Sequence, residues 1–98
     1  MTDSGEQEQF LVGVIEEALV GYEEGRSDLG RLVRRVESAI DELANVSDAD
    51  WVAELRRSWG GLEIVYALML NQGRSDLNDE ERRDVAGDVV ALRALIAR

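Results

Sequence analysis

The segment Gly25-Arg26-Ser27-Asp28-Leu29 separates two stretches in which apolar residues recur every three to four positions, and it returns as Gly73-Arg74-Ser75-Asp76-Leu77. In each copy the glycine follows an apolar stretch, where it can adopt the left-handed conformation that ends a helix. The serine and aspartate that come next offer oxygen atoms that cap the start of another helix. The two copies therefore predict two sharp turns between helices.

Two explanations of this repeat are open. A duplicated helical hairpin would place both copies at equivalent positions of a pseudo-twofold arrangement. Alternatively, glycine followed by serine or aspartate is simply the chemistry that a turn between two helices requires. We prefer the second explanation, because one pentapeptide is too short to demonstrate duplication.

Outward from these turns, four segments show apolar spacing with a period of 3.6 residues, and none alternates as a strand does. We predict helices over residues 6–24, 28–44, 48–71 and 79–97. Because the connections are short, neighbouring helices should run antiparallel. The predicted fold is an all-α antiparallel four-helix bundle that forms one domain over residues 1–98. Under the duplication hypothesis this bundle consists of two helical hairpins.

Caps and apolar faces define the expected packing. Ser27, Ser47 and Asn78 should cap the second, third and fourth helices, and Glu81 should complete a capping box with Asn78. The expected buried face of the first helix comprises Phe10, Leu11, Val14, Ile15, Ala18, Leu19 and Tyr22. The expected contact between helices three and two comprises Leu62, Val65, Tyr66 and Met69 against Leu32, Val33, Val36 and Ile40.

The composition excludes the catalytic mechanisms that depend on cysteine, histidine or lysine. Cysteine, histidine and lysine are absent, and all 11 basic residues are arginine. The chain therefore lacks a thiol nucleophile, the commonest general base and the amine of Schiff-base chemistry. A metal ion would need oxygen ligands, and the acidic segment 76–81 lacks the glycine at the sixth position of a calcium loop, so we interpret it as a helix start. We predict no enzymatic activity, no metal and no cofactor.

The formal net charge is −10, and much of it lies near the N-terminus. Residues 1–25 contain no arginine but hold Asp3, Glu6, Glu8, Glu16, Glu17, Glu23 and Glu24. A field of this sign repels phosphate backbones and anionic lipids and attracts basic proteins. We therefore expect a basic protein partner rather than a nucleic acid or a membrane.

The outward face of the first helix carries a row that we call the acidic ridge: Glu6, Gly13, Glu16, Glu17, Val20 and Glu24. A solvated face is the ordinary explanation for such a row. The other three predicted helices interleave both signs of charge, whereas this helix has no arginine. This difference favours a docking surface, with Glu16, Glu17 and Glu24 as binding residues.

Glu63 interrupts an otherwise apolar run from Leu62 to Leu70. We expect this half-helix to be largely enclosed, so that the carboxylate needs a partner or takes up a proton. A structural ion pair is preferred to a catalytic acid, and a third interpretation places Glu63 at a rim where it receives a partner's arginine. The candidate intramolecular partners are Arg34, Arg35 and Arg93.

Two further sets of residues are candidates for contacts with other chains. Trp51 and Trp59 share one face of the third helix, where tryptophan is usually core, although one at the edge would be an interface anchor. We include Trp59 among the binding residues. Small residues on the fourth helix allow close approach, either by a second copy in a homodimer or within the bundle, which we prefer. These are Gly87, Val90, Ala91 and Ala94.

The first residues contain neither a basic nor an apolar region, so no secretory signal is expected there. The longest apolar run, from Ile64 to Leu70, is too short to span a bilayer. We expect a cytoplasmic protein. The exclusive use of arginine as the basic residue, beside abundant alanine, valine, leucine and glycine, is typical of a GC-rich bacterium.

Trp59-Gly60-Gly61 satisfies a Trp-x-Gly pattern, and with its 98 residues the chain resembles the WXG100 family of secreted helical hairpins. This resemblance implies an exported protein with the motif in the turn of one long hairpin. Here the motif lies inside a helical segment, and Gly25 and Gly73 interrupt the two-helix plan. The family's C-terminal export signature is also missing, because Tyr66 is followed at the fourth position by Leu70.

A second resemblance spans roughly Leu29 to Ile96. It consists of Leu32-Val33 with Glu37 before a short turn, Trp51 at a helix start, Trp59 with Leu62-Glu63 and Val65-Tyr66-Ala67, and a capped last helix. In this arrangement of residues the chain resembles the small acidic helical immunity proteins that bacteria encode beside polymorphic and contact-dependent toxins. The resemblance implies tight, charge-complementary blocking of a toxin domain, often a basic nuclease.

These observations rank four functions. An immunity- or antitoxin-like inhibitor comes first, because it needs an exposed acidic surface and no catalysis. A homo-oligomeric structural or regulatory adaptor comes second, and it needs an exposed apolar strip. A WXG100-like export substrate is third, and an enzyme is last.

Overall fold

The computed structural model describes residues 4–98 and contains four α-helices. They are α1 (Ser4–Glu23), α2 (Leu29–Leu43), α3 (Ala49–Asn71) and α4 (Asp79–Ile96). No strand occurs in this part of the chain. The all-α prediction is confirmed, and the helix ends lie close to those expected.

Each helix packs against two others. α1 and α3 both contact α2 and α4, whereas within residues 4–98 the backbones of the diagonal pairs lie more than 8 Å apart at every pair of Cα atoms. Consecutive helices therefore run antiparallel around a shared core, as predicted. Leu19, Leu32, Leu55 and Leu92, one from each helix, are fully buried in it. In this order the α1–α2 and α3–α4 turns lie at one end of the bundle, and the α2–α3 turn lies at the other.

Gly25 and Gly73 end α1 and α3 in the same way. Their φ angles are 77° and 66°, a region that favours glycine because it has no Cβ. At each turn the N–H of the following arginine donates to the carbonyl of Gly21 at 2.8 Å or of Met69 at 2.9 Å. Both turns are therefore Schellman motifs.

Beyond the arginine the two copies of the repeat diverge. Asp28 caps α2 directly, in place of the expected Ser27, and its carboxylate accepts the N–H of Arg31 at 2.8 Å. In the second copy Asp76 does not cap, and α4 begins after Asn78. The copies are equivalent where the preceding helix ends and different where the next one starts, which favours turn chemistry over duplication.

The cap expected at Ser47 is also wrong by one residue. Asp48 caps α3 by accepting the N–H of Asp50 at 3.2 Å, while the Ser47 hydroxyl donates to the Glu8 carboxylate at 2.7 Å. A charged acceptor binds the free N–H groups of a helix start more strongly than a hydroxyl does. The serine is thereby left to tie the start of α1 to the α2–α3 turn.

The predicted capping box of α4 is confirmed. The Asn78 side chain accepts the N–H of Glu81 at 2.8 Å, and the Glu81 carboxylate accepts the N–H of Asn78 at 2.9 Å. Arg74 adds two further hydrogen bonds to this carboxylate, each of 2.7 Å. The Arg74 guanidinium, followed by the Asn78 N–H, lowers the pKa of Glu81 from 4.5 to about 2. The buried Glu81 thus joins the α3–α4 turn to α4.

One expected core residue of α1 lies outside the core. Phe10 is 70% exposed, whereas Leu11, Ile15, Ala18 and Leu19 are buried. At about 100° per residue, Phe10 points about 80° outside the stripe that these four residues define and lies close to the direction of Glu17. The structure therefore corrects the expectation that its ring is buried.

The expected enclosure of the second half of α3 is wrong in part. Leu62 and Val65 are buried, but Ile64 is 66% exposed, and Leu68 and Leu70 are exposed as well. Because α3 packs against α2 and α4, it buries the side that faces these two helices. Its opposite side stays exposed although it is apolar. The core contact with α2 forms, because Met69 and the α2 residues Leu32, Val33, Val36 and Ile40 are buried.

Tyr66, expected in this core, is only half-buried. Its ring lies against the backbone of α2, where a Cβ at Gly30 would come within 2.7 Å of the phenol oxygen. Gly30 therefore permits a close approach of α2 and α3, and the tyrosine hydroxyl stays near the surface.

Candidate functional site

The acidic ridge is exposed to solvent. Glu6, Glu16, Glu17 and Glu24 are all exposed, with the exposed Gly13 and the half-buried Val20 between them. Asp3, which belongs to the same acidic N-terminal stretch, lies outside the described residues. The ridge lies opposite the buried side of α1 and is available to a partner, and its role in binding stays a prediction.

Ion pairs neutralise part of the charge of α1 but leave the middle of the ridge uncompensated. The pairs are Glu8 with Arg98 at 3.4 Å, Glu24 with Arg26 at 2.7 Å, and Glu23 with Arg93. Within residues 4–98, no arginine nitrogen lies within 4 Å of a carboxylate oxygen of Glu6, Glu16 or Glu17. The strongest uncompensated negative charge on α1 therefore lies at these three residues, while Glu24 already has a counter-ion.

Arginines line the neighbouring helix face. Arg31 and Arg34 on α2 are exposed and Arg35 is half-buried. None of the three has a carboxylate oxygen within 4 Å in the described part of the chain. The surface formed by α1 and α2 thus carries an acidic side on α1 next to a side on α2 that is basic at Arg31, Arg34 and Arg35 and acidic at Asp41 and Glu42.

Between these sides lies a depression of about 310 Å³ that we call the α1–α2 groove. Its apolar lining comes from Phe10, Leu11, Val14 and Ala39, and its polar lining comes from Arg34, Arg35, Ser38 and Glu42. We did not predict this groove. The position of Phe10 between the apolar stripe and the acidic ridge of α1 was the signal that could have located it.

Glu63 does not form the expected ion pair. It is half-buried, and no arginine nitrogen of residues 4–98 lies within 4 Å of its carboxylate. Arg93 pairs with Glu23 instead, and Arg34 and Arg35 have no carboxylate partner there. Water can hydrate Glu63 because this part of α3 is not enclosed. A role at the rim of an interface stays a prediction.

The two tryptophans tie α3 to its neighbours. The indole N–H of Trp59 donates to the carbonyl of Val33 on α2 at 2.9 Å, and that of Trp51 donates to the carbonyl of Leu95 on α4 at 2.9 Å. Trp51 is buried beneath the Arg98 guanidinium, which lies 3.8 Å from the ring centre. Trp59 is half-buried, so it stands at the edge of the core where an interface anchor can lie.

The expected binding residues fall on two separate surfaces. Glu16, Glu17 and Glu24 lie on α1, whereas Trp59 and Glu63 lie one turn apart on α3. Because α1 and α3 are diagonal, with every pair of their Cα atoms within residues 4–98 more than 8 Å apart, these five residues do not form one site. The uncompensated charge makes the α1 surface the stronger candidate.

The small-residue face of α4 is not packed inside the bundle, contrary to our preference. Gly87 and Ala94 are exposed, Val90 is 68% exposed, and Ala91 is half-buried. α4 turns Val85, Val89, Leu92 and Ile96 towards the core instead. A homodimer contact on this face therefore stays a prediction.

The packing of α4 against α3 accounts for the glycine of the Trp-x-Gly pattern, Gly61. The carboxylate of Asp88 on α4 lies so close to Gly61 that a Cβ there would overlap it. Burial, followed by the charge of Asp84, raises the pKa of Asp88. The motif lies within α3 and serves the α3–α4 contact, unlike the turn position that the WXG100 resemblance implies.

None of the helices within residues 4–98 combines the length and the hydrophobicity that crossing a membrane requires. Comparisons with protein-family models, with curated proteins and with solved structures gave no match.

Proposed function

We propose that this chain is a non-catalytic protein-binding domain whose acidic ridge binds a basic protein. The main support is the exposure of Glu6, Glu16 and Glu17 without a cation within 4 Å among residues 4–98. Uncompensated charges on one face steer a partner of opposite sign and orient it during the encounter. Following the resemblance to immunity proteins, we propose a basic toxin domain as this partner.

Inhibition by such a protein requires occupancy and no chemistry. A basic nuclease has a cationic cleft that binds a polyanion. A rigid helix that presents a row of carboxylates can occupy the same cleft and exclude the substrate. Glu24 can join the contact, because its exposed pair with Arg26 contributes little stability and is readily exchanged for another cation.

The test begins by isolating the partner with the immobilised chain. A variant with Glu16→Gln, Glu17→Gln and Glu24→Gln should remain folded, because these side chains are exposed. At low ionic strength its association with the isolated partner should be about tenfold slower or more, and the rates should converge with those of the wild type at high salt.

A matched control separates the ridge from net charge. Glu54→Gln, Glu80→Gln and Asp84→Asn change the net charge by the same amount at exposed positions of α3 and α4. The control should slow association much less than the ridge variant. Equal slowing by both variants would contradict a role for the ridge, and so would unchanged rates in the ridge variant.

The inhibitor role needs its own measurement. Expression of the isolated partner should arrest growth, and co-expression of the wild-type chain should restore it, while the ridge variant should restore it less. A partner that binds through the ridge without any toxic activity would rule out inhibition and leave the binding function standing.

A homo-oligomeric adaptor is the second candidate, supported by the exposed apolar face of α4. Gly87, Val90 and Ala94 face solvent, and Ile64 and Leu68 of the neighbouring α3 are also exposed. Exposed apolar residues of this kind can mark a contact between chains. Val90→Glu should then convert an oligomer into monomers in sedimentation experiments.

A further inference from the structure

The face formed by α1 and α2 combines a protruding ring, a depression and both signs of charge. Phe10 is 70% exposed beside the α1–α2 groove. Glu17 belongs to the acidic side of this face, and Arg31 and Arg35 belong to the basic side. An exposed aromatic side chain next to an apolar depression is a common feature of contacts between proteins.

The linings of two depressions show which residues of α1 and α2 lie at the same level along the bundle. Phe10 and Val14 of α1 lie at similar levels to Arg34, Ser38 and Glu42 of α2, because all of them line the α1–α2 groove. Glu17 lies at a similar level to Arg31 and Arg35, because these three line a second, smaller depression closer to the turn. Within one molecule the carboxylate and the guanidinium groups are nevertheless more than 4 Å apart.

We propose that two copies of this chain associate through their α1–α2 faces about a twofold axis parallel to the helices. Such an axis keeps each residue at its level and exchanges the two sides of the face. α1 of one copy then lies against α2 of the other. Phe10 of each copy enters the groove of its partner, and Glu17 of each meets Arg31 and Arg35 of its partner.

The distribution of charge favours a second copy as the occupant of this face. A partner that spans both helices meets the carboxylates of Glu6 and Glu17 on α1 and the guanidinium groups of Arg31, Arg34 and Arg35 on α2, whereas a partner on the acidic ridge alone meets only α1. A second copy offers the same two signs at the same levels by symmetry, so Glu17 of each copy faces arginines of the other. Glu42, which also lines the groove, adds a negative charge near Phe10 and weakens the contact.

The contact is small, so the dimer is weak. α1 has 20 residues and is about 30 Å long, and two packed helices make a face about 18 Å wide, which gives roughly 500 Å² per copy. Stable dimers bury about 800 Å² per copy. A net charge of −10 on each copy opposes association further. We expect dimers at high micromolar concentrations of the chain.

A charge exchange tests the arrangement directly. Glu17→Arg in one variant and Arg31→Glu with Arg35→Glu in another should each abolish dimerisation, because like charges then meet on both halves of the interface. An equimolar mixture of the two variants should dimerise again. In the mixed dimer the reversed side of one variant faces the reversed side of the other, and the unchanged sides face each other.

Sedimentation equilibrium at concentrations up to about 1 mM, the range of weak complexes, measures these states. The matched controls are Glu54→Arg and the pair Arg57→Glu with Arg83→Glu, which make the same charge changes at exposed positions of α3 and α4. These controls should dimerise like the wild type. Loss of dimers in the controls, or no recovery in the mixture, would overturn the proposal.

Phe10→Ala should also abolish the dimer without unfolding the chain, whereas Val90→Ala, at a position exposed to a similar degree, should not. A wild type that stays monomeric at about 1 mM overturns the proposal. A dimer that Val90→Ala breaks and Phe10→Ala leaves intact also overturns it and assigns association to α4. Self-association is measured without any other protein, so its failure leaves the proposed function untouched.

Discussion

Leu62 and Ile64 are similar in size and two positions apart in α3, yet the first is fully buried and the second is 66% exposed. Leu62→Ala should lower the free energy of unfolding by about 2–5 kcal/mol, because it leaves a cavity among packed neighbours. Ile64→Ala should change it by no more than about 0.5 kcal/mol, as surface substitutions usually do. Chemical denaturation measures both values. Equal losses would show that the outer side of α3 is covered in solution.

The same pair of residues shows what the sequence predicts at this scale. The periodicity of α3 predicts Leu62 in the core, and the structure confirms it. It does not predict that Ile64 and Leu68 are exposed, because the run from 62 to 70 is apolar on every side and has no polar face to orient it. The missing partner of Glu63 has the same origin. Which side of a uniformly apolar helix is buried depends on where its two neighbours lie.

At the scale of the element, the start of α4 should make stability depend on pH. The pKa of Glu81 falls from 4.5 to about 2 on folding, so its contribution to stability is present above 4.5 and is lost as the pH falls towards 2. The difference in the free energy of unfolding between wild type and Glu81→Gln should therefore shrink over that interval. Glu80→Gln, at an exposed neighbouring position, should leave the pH profile like that of the wild type. A constant difference between wild type and Glu81→Gln would contradict the role of the ionised carboxylate.

Helix starts and ends were predicted unequally well. Gly25, Gly73 and the capping box at Asn78 follow from local chemistry and are confirmed. The caps of α2 and α3 were predicted one residue too early, at Ser27 and Ser47 instead of Asp28 and Asp48. In each case a serine and an aspartate are adjacent, and either can act as a cap. The hydrogen bonds from Arg74 to Glu81 could not be predicted from local sequence, because they depend on how the α3–α4 turn folds back on α4.

At the scale of the whole molecule, repulsion among carboxylates should govern the response to salt. The net charge is −10, and most of the ion pairs described within residues 4–98 are exposed and contribute little. Added salt screens this repulsion, so the free energy of unfolding should rise between about 10 mM and 0.5 M sodium chloride. The variant with Glu16→Gln, Glu17→Gln and Glu24→Gln should show a smaller rise. Stability that falls with salt would mean that attraction between charges outweighs repulsion.

The sequence alone predicts the all-α architecture of this molecule and the exposure of its acidic ridge. Both depend on periodicity and on charge counts, which need no knowledge of distant contacts. It does not reveal the α1–α2 groove or the outward position of the small residues on α4. Those features arise only when helices distant in sequence are placed beside each other.

The hydrogen bonds of the two tryptophans provide separate optical probes of the bundle. Trp59 is held against α2 and Trp51 against α4, so separation of either helix pair should alter the fluorescence of a different indole. Trp51→Phe and Trp59→Phe variants would each retain one emitter. Stopped-flow fluorescence could then show whether α3 leaves α2 or α4 first during unfolding. α1 carries no tryptophan, and its release would be spectroscopically silent in both variants unless the neighbouring helices move with it.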